Sequence, residues 1–262
     1  MEEKILLYKP KNRGRLKKSP IYAANLVGKV LALCAKYLFF ALRTPLNLAT
    51  VDAYVEVFWR LNFQETFTWL YATGRERLSP GQTYIFMSNH ESWMDIPAIF
   101  GAVPTSLRMV AKIGLMKIPL FGHALAKAGF IAVDRKNQQK AIKQLGEAKK
   151  RLNEGISIWI APEGTRTRDG SIGPFKKGGF YLAKDLGVSI VPVFIEGAAS
   201  VIPADSVVVR PNKSITVHFC EPVDAEVFGQ MTTNDLVEKV RSSIINKRRE
   251  CMDKKELIDG II

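Results

Sequence analysis

From Thr83 onward the chain alternates short apolar runs rich in Val and Ile with longer amphipathic stretches, and this alternation limits the fold more than any other feature. The runs TYIFMS (83–88), LRMVA (107–111), FIAV (130–133), ISIWIA (156–161), SIVPVFI (189–195), SVVVR (206–210) and SITVHF (214–219) read as strands. Helical periodicity fills 137–153 and 175–187 and returns near 233–248. Strand, helix, strand order of this kind predicts an α/β domain with a mostly parallel central sheet flanked by helices, and the last two apolar runs are expected to form an antiparallel edge hairpin.

The first seventy residues differ in character. Residues 21–42 are long enough to span a bilayer, but Lys29 and Lys36 interrupt them, and a cation in mid-membrane is costly. Lys29, Lys36 and Arg43 recur every seven residues, a basic stripe opposite Leu26, Val30, Leu33, Tyr37 and Phe40. A second helix is expected from about Val51 to Tyr71, with Asp52, Glu56 and Arg60 on one face and Pro45 and Asn47 at the break before it. The pattern is that of two interfacial helices, although the same stripes would serve two core helices of a soluble domain. The segment before them favours the interface: Lys9, Lys11, Arg13, Arg15, Lys17 and Lys18 can each contribute about 1 kcal/mol near an anionic leaflet. The expected organisation is therefore a basic two-helix membrane anchor over 1–71 and an α/β domain over 72–262.

A net charge of +13 favours polyanionic partners, and charge alone does not choose among nucleic acid, an anionic membrane and a phosphorylated substrate. Cys34, Cys220 and Cys251 are few and far apart, so their spacing indicates neither a disulfide framework nor a zinc site, and a reducing compartment fits.

Chemistry concentrates where predicted strands end. Asn89-His90-Glu91-Ser92-Trp93-Met94-Asp95 follows the first run, at the sheet edge where α/β proteins bind ligands. A neutral imidazole can take a proton near pH 7, and a carboxylate on its other nitrogen fixes the tautomer, roles that suit His90 and Asp95. Their five-residue spacing requires a turn or a helix start for the two to meet. Arg166 lies in the turn Pro162-Glu163-Gly164-Thr165-Arg166 after a fourth run, Arg135 follows FIAV and Lys112 follows LRMVA. Three cations at three strand exits can converge on one phosphate, although each alone reads more readily as a surface charge or a salt bridge, such as Asp134 with Arg135.

Other chemistries are excluded. Met94 stands where a zincin helix needs its second His, no GxSxG or GxGxxG occurs, and GPFKKGG (173–179) lacks the Lys-Ser/Thr of a P-loop. His123 and His218 read as packing histidines.

Four blocks in order across residues 80–220 resemble the glycerolipid acyltransferases, specifically the bacterial-type 1-acylglycerol-3-phosphate acyltransferases: Asn89-His90 to Asp95, Gly129 to Arg135, Glu163-Gly164-Thr165-Arg166, and Ile190-Val191-Pro192-Val193. The resemblance implies direct transfer of a fatty acyl group from an acyl carrier protein or CoA thioester to the sn-2 hydroxyl of lysophosphatidic acid. His90 would be the base and Asp95 its orienting partner. Arg135, Glu163, Gly164, Thr165 and Arg166, with Lys112, would hold the glycerol phosphate, while Pro192 shapes the site. It further implies no metal and no cofactor, no nucleic-acid partner, and a place on anionic lipid at the cytoplasmic face of the cell membrane. Glycerol 3-phosphate, another lysophospholipid or a lyso-aminolipid are alternative acceptors. A non-enzymatic basic membrane-binding protein is the alternative outside enzymology.

Overall fold

The computed structural model describes residues 3–13, 20–43, 47–133 and 138–259. Strand β1 (Ile5–Tyr8) is followed by helices α1 (Pro20–Ala41) and α2 (Leu48–Glu65), then β2 (Trp69–Thr73) and β3 (Ile85–Ser88). Next come α3 (Asp95–Ala102), β4 (Leu107–Lys112), α4 (Phe121–Lys127), β5 (Ile131–Val133), α5 (Gln138–Asn153) and β6 (Ser157–Ile160). The remainder is α6 (Gly178–Leu186), β7 (Ile190–Glu196), α7 (Ala198–Val201), β8 (Ser214–Phe219), α8 (Ala225–Phe228) and α9 (Thr233–Asp259).

Among the described residues these strands form one eight-stranded sheet in the order β1-β2-β8-β7-β3-β6-β4-β5. The run from β7 through β3, β6 and β4 to β5 is parallel, as the alternation predicts, whereas β8 lies antiparallel to β7 and parallel to β2. The central strands are buried on both faces, which explains why they read as continuous apolar runs.

Three sequence expectations change. The run 206–210 is not a strand: Val207 is exposed, and the segment lies between Pro203 and Pro211, each of which lacks a backbone donor. The expected edge hairpin is thus absent, and β8 is an interior strand between β7 and β2. The second helix ends at Glu65, because Phe67 takes a left-handed backbone (φ 51°) and turns the chain into β2. Finally, the division at residue 71 falls inside β2, whose other neighbour is the N-terminal strand β1. Residues 1–71 therefore contribute two strands to the sheet as well as two helices.

Helix α2 is capped by the Asn47 side chain, which accepts from Thr50 N at 2.8 Å. Its anchor is deeper. Arg108 on β4 is buried and donates Nη1 to Asp52 Oδ1 at 2.8 Å, Nε to Ala128 O at 2.7 Å and Nη1 to Leu107 O at 2.8 Å. Ser106 adds a short hydroxyl bond to the other Asp52 oxygen. The pair locks α2 onto the sheet through charge, while α1 packs on α2 and α4 through Leu26, Val30, Cys34 and Tyr37.

That packing reverses part of the expected membrane face. The stripe of Leu26, Val30, Leu33 and Tyr37 turns inward, Trp59 is buried, and Lys29 bonds Glu65 of α2 at 2.7 Å. The large apolar side chains left exposed on the helix pair and just beyond α1 are Ile21, Val27, Phe39, Phe40, Leu42, Leu48 and Val57. By length and composition α1 is apolar enough to cross a membrane, with 22% of its most apolar window buried.

Removing one partner of a buried ion pair costs about 3–5 kcal/mol. Asp52→Ala should therefore lower unfolding free energy by about 3 kcal/mol, the low end because Asp52 is partly exposed. Pairing it with Arg108→Met, which removes the stranded charge, should restore much of the loss in urea unfolding. A double variant less stable than Asp52→Ala would contradict this reading.

Candidate active site

Because β3 and β6 are parallel neighbours, their carboxyl ends emerge side by side, and the loop after each supplies half of the site. His90 follows β3 after Ser88 and Asn89. Asp95 opens α3, so the turn between them provides the helix-start geometry that a five-residue spacing requires. The fully buried Asp95 carboxylate concentrates three donors on Oδ2: His90 Nδ1 at 2.8 Å, Glu91 N at 2.7 Å and Ser92 N at 2.9 Å. An acid in the first turn of a helix is also favoured by the unpaired amides there. Ser92 pins the turn from below, donating its hydroxyl to Ile202 O at 2.6 Å and accepting from Met94 N at 3.0 Å.

With Nδ1 committed to Asp95, the ring presents Nε2 as its free nitrogen; among the described residues no hydrogen-bond partner reaches it. The side chain is 17% exposed, and the indole of Trp159 on β6 packs edge-on to the imidazole with centroids 6.2 Å apart. Such a ring can accept a proton from a hydroxyl and pass it on, its charged form stabilised by Asp95.

The backbone of His90 is clamped at both ends by the loop after β6. Its N–H donates to Glu163 Oε1 at 3.0 Å, and its carbonyl accepts from Thr167 N at 2.9 Å. The second Glu163 oxygen accepts from Gly173 N at 2.9 Å, so this acid is an internal brace. Burial raises the Glu163 pKa, and the Gly173 and His90 amides counter part of that. Arg241 of α9 extends the brace by donating Nε to Gly173 O at 3.0 Å and Nη2 to Ile172 O at 2.8 Å. Gly164 has φ +75°, a left-handed backbone that favours glycine, and the Lys176 ammonium, the mobile end of its side chain, lies over the place a Cβ would take.

Thr165 and Arg166 are exposed beyond the turn, and Lys112 is exposed at the end of the adjacent strand β4. Both cations thus stand on the strand-exit side of the sheet, as the sequence predicts. Arg135 lies outside the described residues. Pro192 is buried in β7 opposite Met87 of β3, so it acts on the site through the sheet and not from its surface.

Sequence reading passed over Asn89, whose amide clasps β7 by donating to Ile195 O at 3.0 Å and accepting from Ile195 N at 2.8 Å. It also passed over the Lys176 ammonium above Gly164 and the Thr167, Gly173 and Arg241 braces. Only Asn89 carried a signal, its place before His90 at a strand end. Next to Asp95, Ile96 joins Leu33, Tyr54, Phe121 and Phe130 around an apolar cavity of about 70 Å³ between the two N-terminal helices and the α/β body.

Comparison with known proteins finds similarity to acyltransferases. A family model described as Acyltransferase matches residues 70–196. The chloroplastic 1-acyl-sn-glycerol-3-phosphate acyltransferase BAT2 of Brassica napus is 30% identical over 151 residues, 57% of this chain and 44% of that protein. The 1-acyl-sn-glycerol-3-phosphate acyltransferase alpha of Homo sapiens is 31% identical over 183 residues, 68% of this chain and 62% of that protein. The chain thus spans about half the length of the plant relative. The crystal structure of the 1-acyl-sn-glycerophosphate (LPA) acyltransferase PlsC from Thermotoga maritima matches with a TM-score of 0.75 and 26% identity, over 89% of this chain and 94% of that one.

Glu91 adds a pH-dependent element. Burial, then the neighbouring Asp95 carboxylate, push its pKa from 4.5 to about 7. A carboxyl raised on folding binds its proton more tightly in the folded state, so stability falls as pH climbs from 4.5 to about 7 and levels off above. Glu91→Gln should flatten that fall, giving a higher melting temperature than the parent at pH 8 and a similar one at pH 4. Equal pH slopes in the two proteins would be the contrary result.

Proposed function

We propose, from the match of residues 70–196 to the Acyltransferase family model, that this chain belongs to that family and moves a fatty acyl group from a thioester to the sn-2 hydroxyl of 1-acylglycerol 3-phosphate, giving phosphatidic acid. The observation that carries the reading is the 2.8 Å bond from His90 Nδ1 to the buried Asp95, which leaves Nε2 open toward solvent. The relatives' names specify the same acceptor.

In this reading the acceptor hydroxyl gives its proton to His90 Nε2 as its oxygen attacks the thioester carbon. The tetrahedral intermediate expels the thiolate, and the imidazolium returns the proton to that sulfur. No acyl-enzyme is needed: Ser92 is buried with its hydroxyl donated to Ile202 O, and Ser88 likewise donates to Asn89 O. Arg166 and Lys112, joined by Arg135 and Lys176, supply positive charge for the acceptor phosphate, Arg through a bidentate fork and Lys as a point charge. Glu163 and Gly164 act one step back, holding the turn that presents Arg166. The donor arrives as an acyl carrier protein or CoA thioester, and no bound cofactor takes part.

Both substrates carry long hydrocarbon chains, so the site must meet a lipid surface. Phe39, Phe40 and Leu42 are exposed together at the end of α1, with the Arg43 guanidinium 3.5 Å from the centre of the Phe39 ring. Aromatic and aliphatic side chains inserting beside basic residues form a monotopic anchor on anionic lipid, on the cytoplasmic face where such lipid is rich. The apolar cavity beside Ile96 offers a chain entering from that side a lining without polar competition.

The direct test is acyl transfer by purified protein against lysophosphatidic acid, glycerol 3-phosphate, lysophosphatidylcholine and a lyso-aminolipid with both thioester types. Phosphatidic acid should be the dominant product, and His90→Ala should lower turnover about 10²- to 10⁴-fold while acceptor binding is kept. Preference for another acceptor would reassign the substrate, and near-parental turnover in folded His90→Ala would falsify the base assignment.

Membrane attachment is tested separately. Replacing Phe39, Phe40 and Leu42 with Ser should weaken vesicle binding at any lipid charge, whereas added salt should weaken it only in part and only on anionic vesicles. Extraction by detergent alone, with the two ends of α1 accessible from opposite sides, would establish a spanning helix instead.

A further inference from the structure

At the exit end of β7, where α9 packs on the sheet, three side chains far apart in sequence meet at one point. Glu196 ends β7, His218 lies in β8 and Cys251 projects from α9. His218 Nε2 lies 3.1 Å from Glu196 Oε2 and 3.6 Å from Cys251 Sγ, and the three ligand atoms fall within 4.8 Å of one another. The opposite ring nitrogen, Nδ1, lies 3.0 Å from the Thr73 hydroxyl on β2. The ring also stacks on Phe194 at 5.8 Å.

A nucleophilic triad would place thiol and acid on opposite ring nitrogens, the acid orienting the base. Here both address Nε2, and a hydroxyl holds Nδ1. That is the layout of a metal ligand set, in which a second-shell partner fixes the tautomer and leaves the other nitrogen to coordinate. Tetrahedral zinc with Zn–S near 2.3 Å, Zn–N near 2.05 Å and Zn–O near 2.1 Å separates S from N by about 3.5 Å and N from O by about 3.4 Å. The 3.6 Å distance matches the S–N edge, the 3.1 Å distance is slightly shorter than the N–O edge, and S and O lie within 4.8 Å of each other.

We propose that Glu196, His218 and Cys251 form a site for a borderline-soft divalent cation of the Zn²⁺ class, with water as fourth ligand, that ties α9 to the sheet. Thiolate and carboxylate together cancel the ion's charge, offsetting the opposing Lys247 and Lys254; Glu250 is the remaining acid on this part of α9. Cys251 would bind as the thiolate, releasing its proton to solvent. The cysteine spacing gives no hint of this, because the fold alone assembles ligands from three separate elements.

The test uses the full chain, reduced and stripped with a chelator, titrated with Co²⁺ and then Zn²⁺. One equivalent of Co²⁺ should bind with thiolate-to-cobalt charge-transfer absorption that Zn²⁺ displaces, and Zn²⁺ should raise the melting temperature. Cys251→Ser should abolish the band and weaken Zn²⁺ binding at least about 100-fold, more than the roughly 10-fold expected for Thr73→Val, which spares the ligands. Should Cys251→Ser fold poorly, Glu196→Gln at the surface should still weaken Zn²⁺ binding more than about 10-fold. Absence of stoichiometric binding, or a band that survives in folded Cys251→Ser, overturns the proposal.

Discussion

The Glu163 carboxylate is the joint on which the site depends. One oxygen accepts from the amide of His90 and the other from the amide of Gly173, so a single buried acid fixes the loop after β3 against the loop after β6. Parallel pairing brings the two strand ends together; it does not set the register of the loops beyond them. A carboxylate aimed at two backbone donors does, and burial makes loss of either bond expensive. The Thr167 amide on the His90 carbonyl completes the clamp, leaving the imidazole little freedom except about its own side-chain torsions.

This changes how the Glu-Gly-Thr-Arg turn is understood. Its four residues divide by direction: Glu163 faces inward, Gly164 permits the bend beneath Lys176, and Thr165 and Arg166 face out. The turn thus couples a structural half to a charged half, so that whatever Arg166 grips is held at a fixed place relative to His90. Asp95 does the same for the ring, with three donors on one oxygen. Distance between reacting groups is then a property of the backbone and not of flexible side chains, as efficient proximity requires.

The parallel core was legible because buried strands leave a signal that survives without context: β3, β6 and β7 are buried on both faces and mostly apolar. β1 and β2 were not, since ILLY is too short to show a period, and WLYAT continues the aromatic spacing of the helix before it. What separates them is the left-handed Phe67, a conformation that no composition rule assigns to phenylalanine. The His90–Asp95 pair and the cationic turn were readable as residue types at strand ends. Thr167 and Gly173 were not, because they act through backbone amides, which every residue carries, and Arg241 was not, because it reaches backbone carbonyls that no sequence pattern marks. The inward turn of Leu26, Val30 and Tyr37 was equally hidden: an apolar stripe states that it must be covered and leaves open by what.

The sheet's topology also dictates an order of events. β2 pairs on one side with β1 and on the other with β8, and Thr73 meets His218 across 145 residues of chain. During synthesis, α1 and α2 leave the ribosome long before the strand that encloses β2 is made. Closing so long a loop is slow, and a β1–β2 hairpin interrupted by two apolar helices would wait in water with its inner edge open. A bilayer surface that received those helices early would shelter them through that interval, acting on the newborn chain as a chaperone.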